Sequence, residues 1–365
     1  MSDSFTGHEL ETGILQRVRR WQDALPILVL GKALRVSGSP LYVGLSLIAV
    51  LLSNAVVAGL GNHVVSTAVA NAGEANMAGI EGEPRWPAVL GPLDGGGHLL
   101  LDAAELGLRS WPQLLALAAT VLLWSLPAAT LARAGACYAA QRDQAFSQNL
   151  AVACQRLPGV WATALVPGMC VLGLCGLMFG VGLLQRGGAA GVWLGELVSL
   201  LVVPIMIFAG LLAAGAIAAV PLAWAAMVIE KRGDVFDSLS RGYEYLYRRP
   251  VQLLTYALGG YVLVLITYGI GRAVAGTALN LGTAAARAGS AGLTPPAAYA
   301  WLLSALPAAV ALSTLWAMVG AIYLLMRQAA NGQEIEEIAV SEVDRQTAQL
   351  PTLRTETVET TPAVE

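Results

Sequence analysis

The chain alternates long charge-free apolar runs with short segments in which bulky apolar and charged residues interleave. Three of those short segments end in a proline that opens onto an apolar run: Trp21 to Pro40, Arg142 to Pro158 and Asp234 to Pro250. A membrane-spanning helix needs about 20 apolar residues, because a rise of ~1.5 Å per residue has to cross ~30 Å of hydrocarbon. Six runs reach that length, at 41–60, 113–132, 159–184, 205–229, 251–271 and 301–326, and none holds Asp, Glu, Lys, Arg or His. The pattern predicts an all-α fold: a polytopic membrane helix bundle with six transmembrane helices in three elbow-plus-hairpin units. Each elbow is an amphipathic helix in the headgroup plane that launches one outgoing and one returning crossing. Pro204, Glu196 and the lack of a polar turn argue against a double crossing over 192–229, so Val192–Val203 reads as a short interfacial piece ahead of the fourth span.

The third elbow is the best defined. Asp234 and Asp237 form an N-terminal capping pair, and Asp237 to Arg241 and Glu244 to Arg248 are acid-first pairs at i,i+4 spacing. Phe236, Leu239, Tyr243 and Leu246 recur at helical spacing and predict an apolar face, and Arg249–Pro250 ends the helix. The second elbow repeats this more weakly. Arg142 and Asp143 lead, Phe146, Leu150, Ala153 and Leu157 make the stripe, and Pro158 is expected to end it, with Phe146 matching Phe236. In the first, Arg19, Arg20 and Trp21 carry the basic and aromatic character, and Pro26 divides the segment into two short helices.

Composition agrees with a bilayer as solvent. Of 365 residues, 56% are hydrophobic and 12% charged, with a mean hydropathy of +0.64. Basic residues orient the chain, since cytoplasmic loops carry the Lys and Arg excess. With both ends inside, the outer segments hold only Arg85, Arg109, Arg186, Arg272 and Arg287 of the 21 Lys and Arg residues. The expected organisation is a cytoplasmic and interfacial segment over 1–40, a membrane domain over 41–327 with an acidic outer loop at 61–112, and an acidic, disordered cytoplasmic tail over 328–365.

Candidate chemistry is sparse. Ionisable residues inside spans are costly and are kept for use, and these spans hold none. Asn54 is the one intramembrane polar residue that stands out. Cys170 and Cys175 are five apart, off a common helical face, and His63 and His98 lack ligand spacing. The sequence offers no catalytic residue, cofactor or metal site, and nothing in it points to nucleic acid. The candidate functional residues are therefore those of the elbows, Arg19, Arg20, Trp21, Arg142, Phe146, Phe236, Asp237, Arg241, Tyr243, Arg248 and Arg249, together with Asn54.

The run Asp234, Phe236, Asp237, Ser238, Leu239, Ser240, Arg241, Tyr243, Tyr245, Arg249, Pro250, flanked by apolar spans, resembles the signature of uncharacterised six-span bacterial integral membrane proteins. It is more distantly similar to the membrane domain associated with glycerophosphodiester phosphodiesterases. The resemblance covers most of residues 20–327 and implies a bacterial inner-membrane location; it transfers no activity, and the phosphodiesterase barrel is absent. The expected function is that of a non-enzymatic structural, lipid-interacting or accessory membrane component, whose elbows meet anionic headgroups at the cytoplasmic face or a membrane-protein partner. The alternative is a permease or channel subunit using a cleft between proline-kinked hairpins past Asn54.

Overall fold

The structure, a computed structural model, describes residues 27–71, 111–231, 233–289 and 297–331, with side chains over 27–56, 118–231, 233–289 and 299–330. Arg19, Arg20 and Trp21, the middle of the acidic 61–112 segment and the 332–365 tail lie outside the described residues. The described residues are helical, with α1 at Leu28–Ala33 followed by a 3-10 turn at Leu34–Val36, α2 at Pro40–Asn71 and α3 at Trp111–Ala139. They continue with α4 at Phe146–Gln185, α5 at Gly188–Ile229, α6 at Val235–Arg248, α7 at Pro250–Gly289 and α8 at Ala297–Asn331. Four of these, α4, α5, α7 and α8, are long and apolar enough to cross a membrane, and a fifth is reached if the bent pair Leu28–Val36 and Pro40–Val56 is one span.

Several helices run past the boundaries that the sequence predicts. α2 continues from the expected end near 60 to Asn71, because no proline or glycine stands between Gly61 and Gly73. The second elbow does not stop at Pro158: α4 passes through both Pro158 and Pro167 as one helix of 40 residues. Likewise, Val192–Val203 is no separate interfacial piece, since α5 runs unbroken through Pro204 and Pro221 for 42 residues. A proline removes one internal hydrogen bond, which packing on both sides of it outweighs in long apolar helices. α4 is held by Asn149 and Ala153 before Pro158 and by Val160 and Thr163 after it, all buried. At ~1.5 Å per residue, α5 is about 63 Å long. Gly188, with φ +79°, makes the tight turn that folds it back along α4.

The first and third elbows do break at their prolines. The chain bends by 76° between the α1 segment and α2, which starts at Pro40, and α6 gives way to α7 at Pro250. The break before α4 lies further upstream, where Gln141 takes a left-handed conformation (φ 57°). There the Arg142 N–H bonds the Cys137 carbonyl at 2.8 Å and the Gln141 N–H bonds the Tyr138 carbonyl at 3.1 Å, which closes the end of α3 as a Schellman motif.

α8 is the pillar of the bundle. Of its most apolar stretch, 83% is buried, against 22% in α7 and 11% in α4 and in α5. α3 packs backbone to backbone against it: a Cβ on Gly135 would overlap the Ala317 carbonyl, and one on Gly320 would overlap the Ala132 carbonyl. Such small-residue contacts let two backbones approach where a side chain would hold them apart. α5 is divided along its length. Trp193, Leu200, Leu201, Ile207 and Phe208 in its first half are exposed, whereas Leu222 through Ile229 are all buried.

Candidate functional site

Three apolar runs terminate in ionisable residues at one end of the bundle: Arg133 near the end of α3, Glu230 directly after α5 and Arg327 near the end of α8. An α-helix leaves its last carbonyls without internal donors and carries partial negative charge there. At the end of α5, the Arg133 guanidinium donates to the Val228 carbonyl, and Arg156 Nη1 donates to those of Met227 and Glu230. Arg156 Nη2 reaches the Lys231 carbonyl at 3.1 Å, and Arg133 Nη2 reaches Gln144 Oε1 at 3.3 Å. Arginines from α3 and α4 thus cap α5, and the burial of Arg133, 2% exposed, is offset by its bonds to the Val228 carbonyl and the Gln144 amide oxygen.

Glu230 ties the same end to α6 and α8. Its carboxylate accepts from the Arg241 guanidinium and from the Tyr323 hydroxyl, and Arg241 also pairs with Asp237 at 2.9 Å. Tyr245, 1% exposed, stands beside Tyr323 with ring centroids 6.0 Å apart. Its hydroxyl finds no hydrogen-bond partner among the described residues, and burial pushes the phenol up to about 12. Nearby, the Asn149 amide donates to the Tyr42 hydroxyl at 2.9 Å, and Tyr42 meets Phe146 edge-on at 5.1 Å. The Glu230, Arg241 and Tyr323 contacts join α5, α6 and α8, the Asn149–Tyr42 bond joins α4 to α2, and together they act as a lock between helices.

α6 rests on this lock. Asp234 caps it, accepting from the Asp237 N–H at 3.4 Å, and the two acid-first pairs form, Asp237–Arg241 and Glu244–Arg248, the latter at 2.7 Å. The buried face is Ser238, Leu239, Gly242 and Tyr245, with Gly242 against the Ala219 backbone of α5. Tyr243 and Tyr247 stack on each other at 6.1 Å and donate to the Leu212 and Leu211 carbonyls at 2.8 and 2.7 Å. Burial pushes the Tyr243 phenol up to about 12. Of the predicted apolar stripe, Leu239 is buried and Tyr243 and Leu246 are half-buried, but Phe236 is 70% exposed and stands outward, as Tyr247, Arg248 and Arg249 are exposed too. Phe146 and Phe236 do not match, since Phe146 packs against the core. Arg142 is exposed at the α3–α4 turn.

At the other end, a cleft of about 370 Å³ opens between α2, α7 and α8. Asn54 lines it with Arg272, Tyr268, Trp301 and Ser304 over an apolar wall that includes Val50, Leu279 and Leu303. The sequence puts Arg272 just beyond a span; in the structure it stands near the middle of the 40-residue α7.

Among the described residues no cluster of three His, Cys, Asp or Glu side chains is arranged to hold a metal ion. Comparison with known proteins finds no matching family model, no matching curated protein and no matching solved structure. Sequence reasoning singled out Asp237, Arg241 and Asn54 and missed Glu230 and Tyr323, which join Arg241 in the lock, and Arg272, which lines the cleft with Asn54. The usable signal for the first two was topological: apolar runs that exit at the same end bring the residues after them together.

Proposed function

We propose that the protein is a non-enzymatic integral component of a bacterial cytoplasmic membrane, with six helices crossing as three hairpins, both termini inside, and its elbows engaging anionic headgroups. Length and exposure support this reading. The exposed apolar side chains of α4 run from Trp161 to Leu184, those of α5 from Val192 to Ile217 and those of α7 from Val251 to Leu281, as a bilayer-facing belt requires. The bilayer-facing part of α5 then lies mostly in its first half, while the 222–229 stretch is enclosed by protein.

The observation that carries the proposal is the outward face of α6. Phe236, 70% exposed, and Tyr247, 54% exposed, flank Arg248, whose side chain is 78% exposed. Gly242 packs on the α5 backbone and the Tyr243 and Tyr247 hydroxyls bond α5 carbonyls, so α6 is fixed in place and presents Phe236, the Tyr247 ring and Arg248 to an interface. The Glu244–Arg248 pair is too exposed to hold Arg248 against a phosphate. Charge reversal of Arg248 and Arg249 in the full chain should lower co-purified anionic phospholipid about fivefold, at roughly 1 kcal/mol per basic residue before screening. Unchanged lipid retention in a folded double variant would refute it.

A second reading, a permease or channel subunit, is favoured by one observation: Asn54 and Arg272 share a cleft between two hairpins. Solute or lipid flux through the reconstituted protein, abolished by filling the cleft at Ala275, separates it from the first.

A further inference from the structure

The cleft between α2, α7 and α8 combines three features that the elbows leave unused. It has a cation inside a long apolar helix, a neutral amide facing the same space from another helix, and an apolar wall continuous with both. None of the three ion pairs among the described residues includes Arg272. Arg272 follows directly on the 251–271 apolar run, where a long side chain can lay its stem on apolar surface and keep its guanidinium at the polar boundary, and here it lines the cleft. Its planar fork of donors matches a carboxylate or phosphate two bonds at a time, and the Asn54 amide adds two N–H donors. The Ser304 hydroxyl already donates to the Trp301 carbonyl at 2.8 Å, so the anion is met by the donors of Arg272 and Asn54.

Shape narrows the ligand. At about 370 Å³ the cleft lies near the lower end of the ~300–1,000 Å³ typical of small-molecule sites, which suits the head and first part of one chain better than a two-chain lipid. Val50, Leu279 and Leu303 give the chain an apolar bed. Trp301, 53% exposed, and half-buried Tyr268 stand beside it with amphipathic rings of the kind that border a polar head.

We propose that this cleft binds a single-chain anionic amphiphile, its acidic head held by Arg272 and Asn54 and its chain lying on the α2–α7–α8 wall. The proposal deepens the second reading above and rests on the chain being membrane-integral. The shared chemistry is one acidic head on one acyl chain, which a free fatty acid or a lysophospholipid supplies.

The test uses the full chain in phosphatidylcholine nanodiscs. Resistance to alkaline extraction is read first, since a chain that washes out refutes the membrane reading itself. Tryptophan quenching by dibromostearic acid, by brominated lysophosphatidylglycerol, by the methyl ester of the former and by brominated phosphatidylglycerol is then titrated. Saturable quenching by either single-chain acid, lost in Trp301→Phe, weakened about tenfold in Arg272→Gln and weakened to a lesser degree in Arg272→Lys, which keeps the charge but not the fork, is the expected result. Which of the two acids binds more tightly identifies the source of the head. Equal binding of acid and methyl ester, an unchanged Arg272→Gln, or a saturable component that survives Trp301→Phe above the linear quenching of the exposed Trp161 and Trp193 overturns the site. Equal binding of the two-chain lipid overturns the single-chain assignment. An embedded chain with no saturable quenching refutes the ligand while leaving the membrane reading intact.

Discussion

Glu230 is the group whose removal should be felt most widely, because one carboxylate joins α5, α6 and α8. Glu230→Gln keeps the length and an acceptor oxygen but removes the charge. Hydrogen bonds to charged groups contribute about 1.5–3 kcal/mol each when buried. Here the Glu230 and Arg241 side chains are 16% and 24% exposed, and Arg241 keeps Asp237, so each bond is discounted to about 1–1.5 kcal/mol. The expected loss is about 2–3 kcal/mol, or a fall in Tm of about 4–12 °C at 2–4 °C per kcal/mol. The fold supplies its own reporter: Cys137 is buried and free, whereas Cys154, Cys170 and Cys175 are exposed. In a background with the exposed three changed to serine, a thiol-reactive fluorophore labels Cys137 only as the helix ends separate. Tyr323→Phe should cost less than Glu230→Gln, and the double variant should fall short of the sum by about 0.5 kcal/mol or more, since both remove the same bond. A Glu230→Gln melt within about 1 °C of the parent, or strict additivity with Tyr323→Phe, would refute the lock.

The α3–α8 crossing gives a contrast. Gly320→Ala drives a Cβ into the Ala132 carbonyl and should cost about 1–3 kcal/mol, while Gly180→Ala, with open space around it, should be neutral; similar melts for the two would sink the close-contact reading. Tyr245 gives a pH dependence. Its folded pKa is raised to about 12 from an unfolded value near 10, so its contribution is full below pH ~10 and is lost as pH rises from there towards 12. Thermal melts of parent and Tyr245→Phe across that window should diverge, the parent falling more steeply; parallel slopes would show that burial does not hold the phenol neutral.

The third elbow was readable because all its determinants are local. Asp234 caps α6, Asp237–Arg241 and Glu244–Arg248 pair within one turn, and Pro250 blocks its continuation. The proline rule that works there failed at Pro158 and Pro204, where a missing hydrogen bond is a small local cost set against helix-long packing. The orientation of Phe236 was likewise beyond reach, since periodicity names a stripe but the Gly242–Ala219 contact chooses which side of α6 turns inward. Residue order alone therefore determined that the chain is helical, that long apolar runs dominate it and where the charged elbow sits, because each of these depends on neighbours within a turn or two. Only the tertiary structure decided that Glu230 meets Arg241 and Tyr323, that α8 is the enclosed helix, and that Asn54 and Arg272 face one cleft. Those groupings join residues on different helices, 11 positions apart for Glu230 and Arg241 and 93 for Glu230 and Tyr323, and packing between helices selects them.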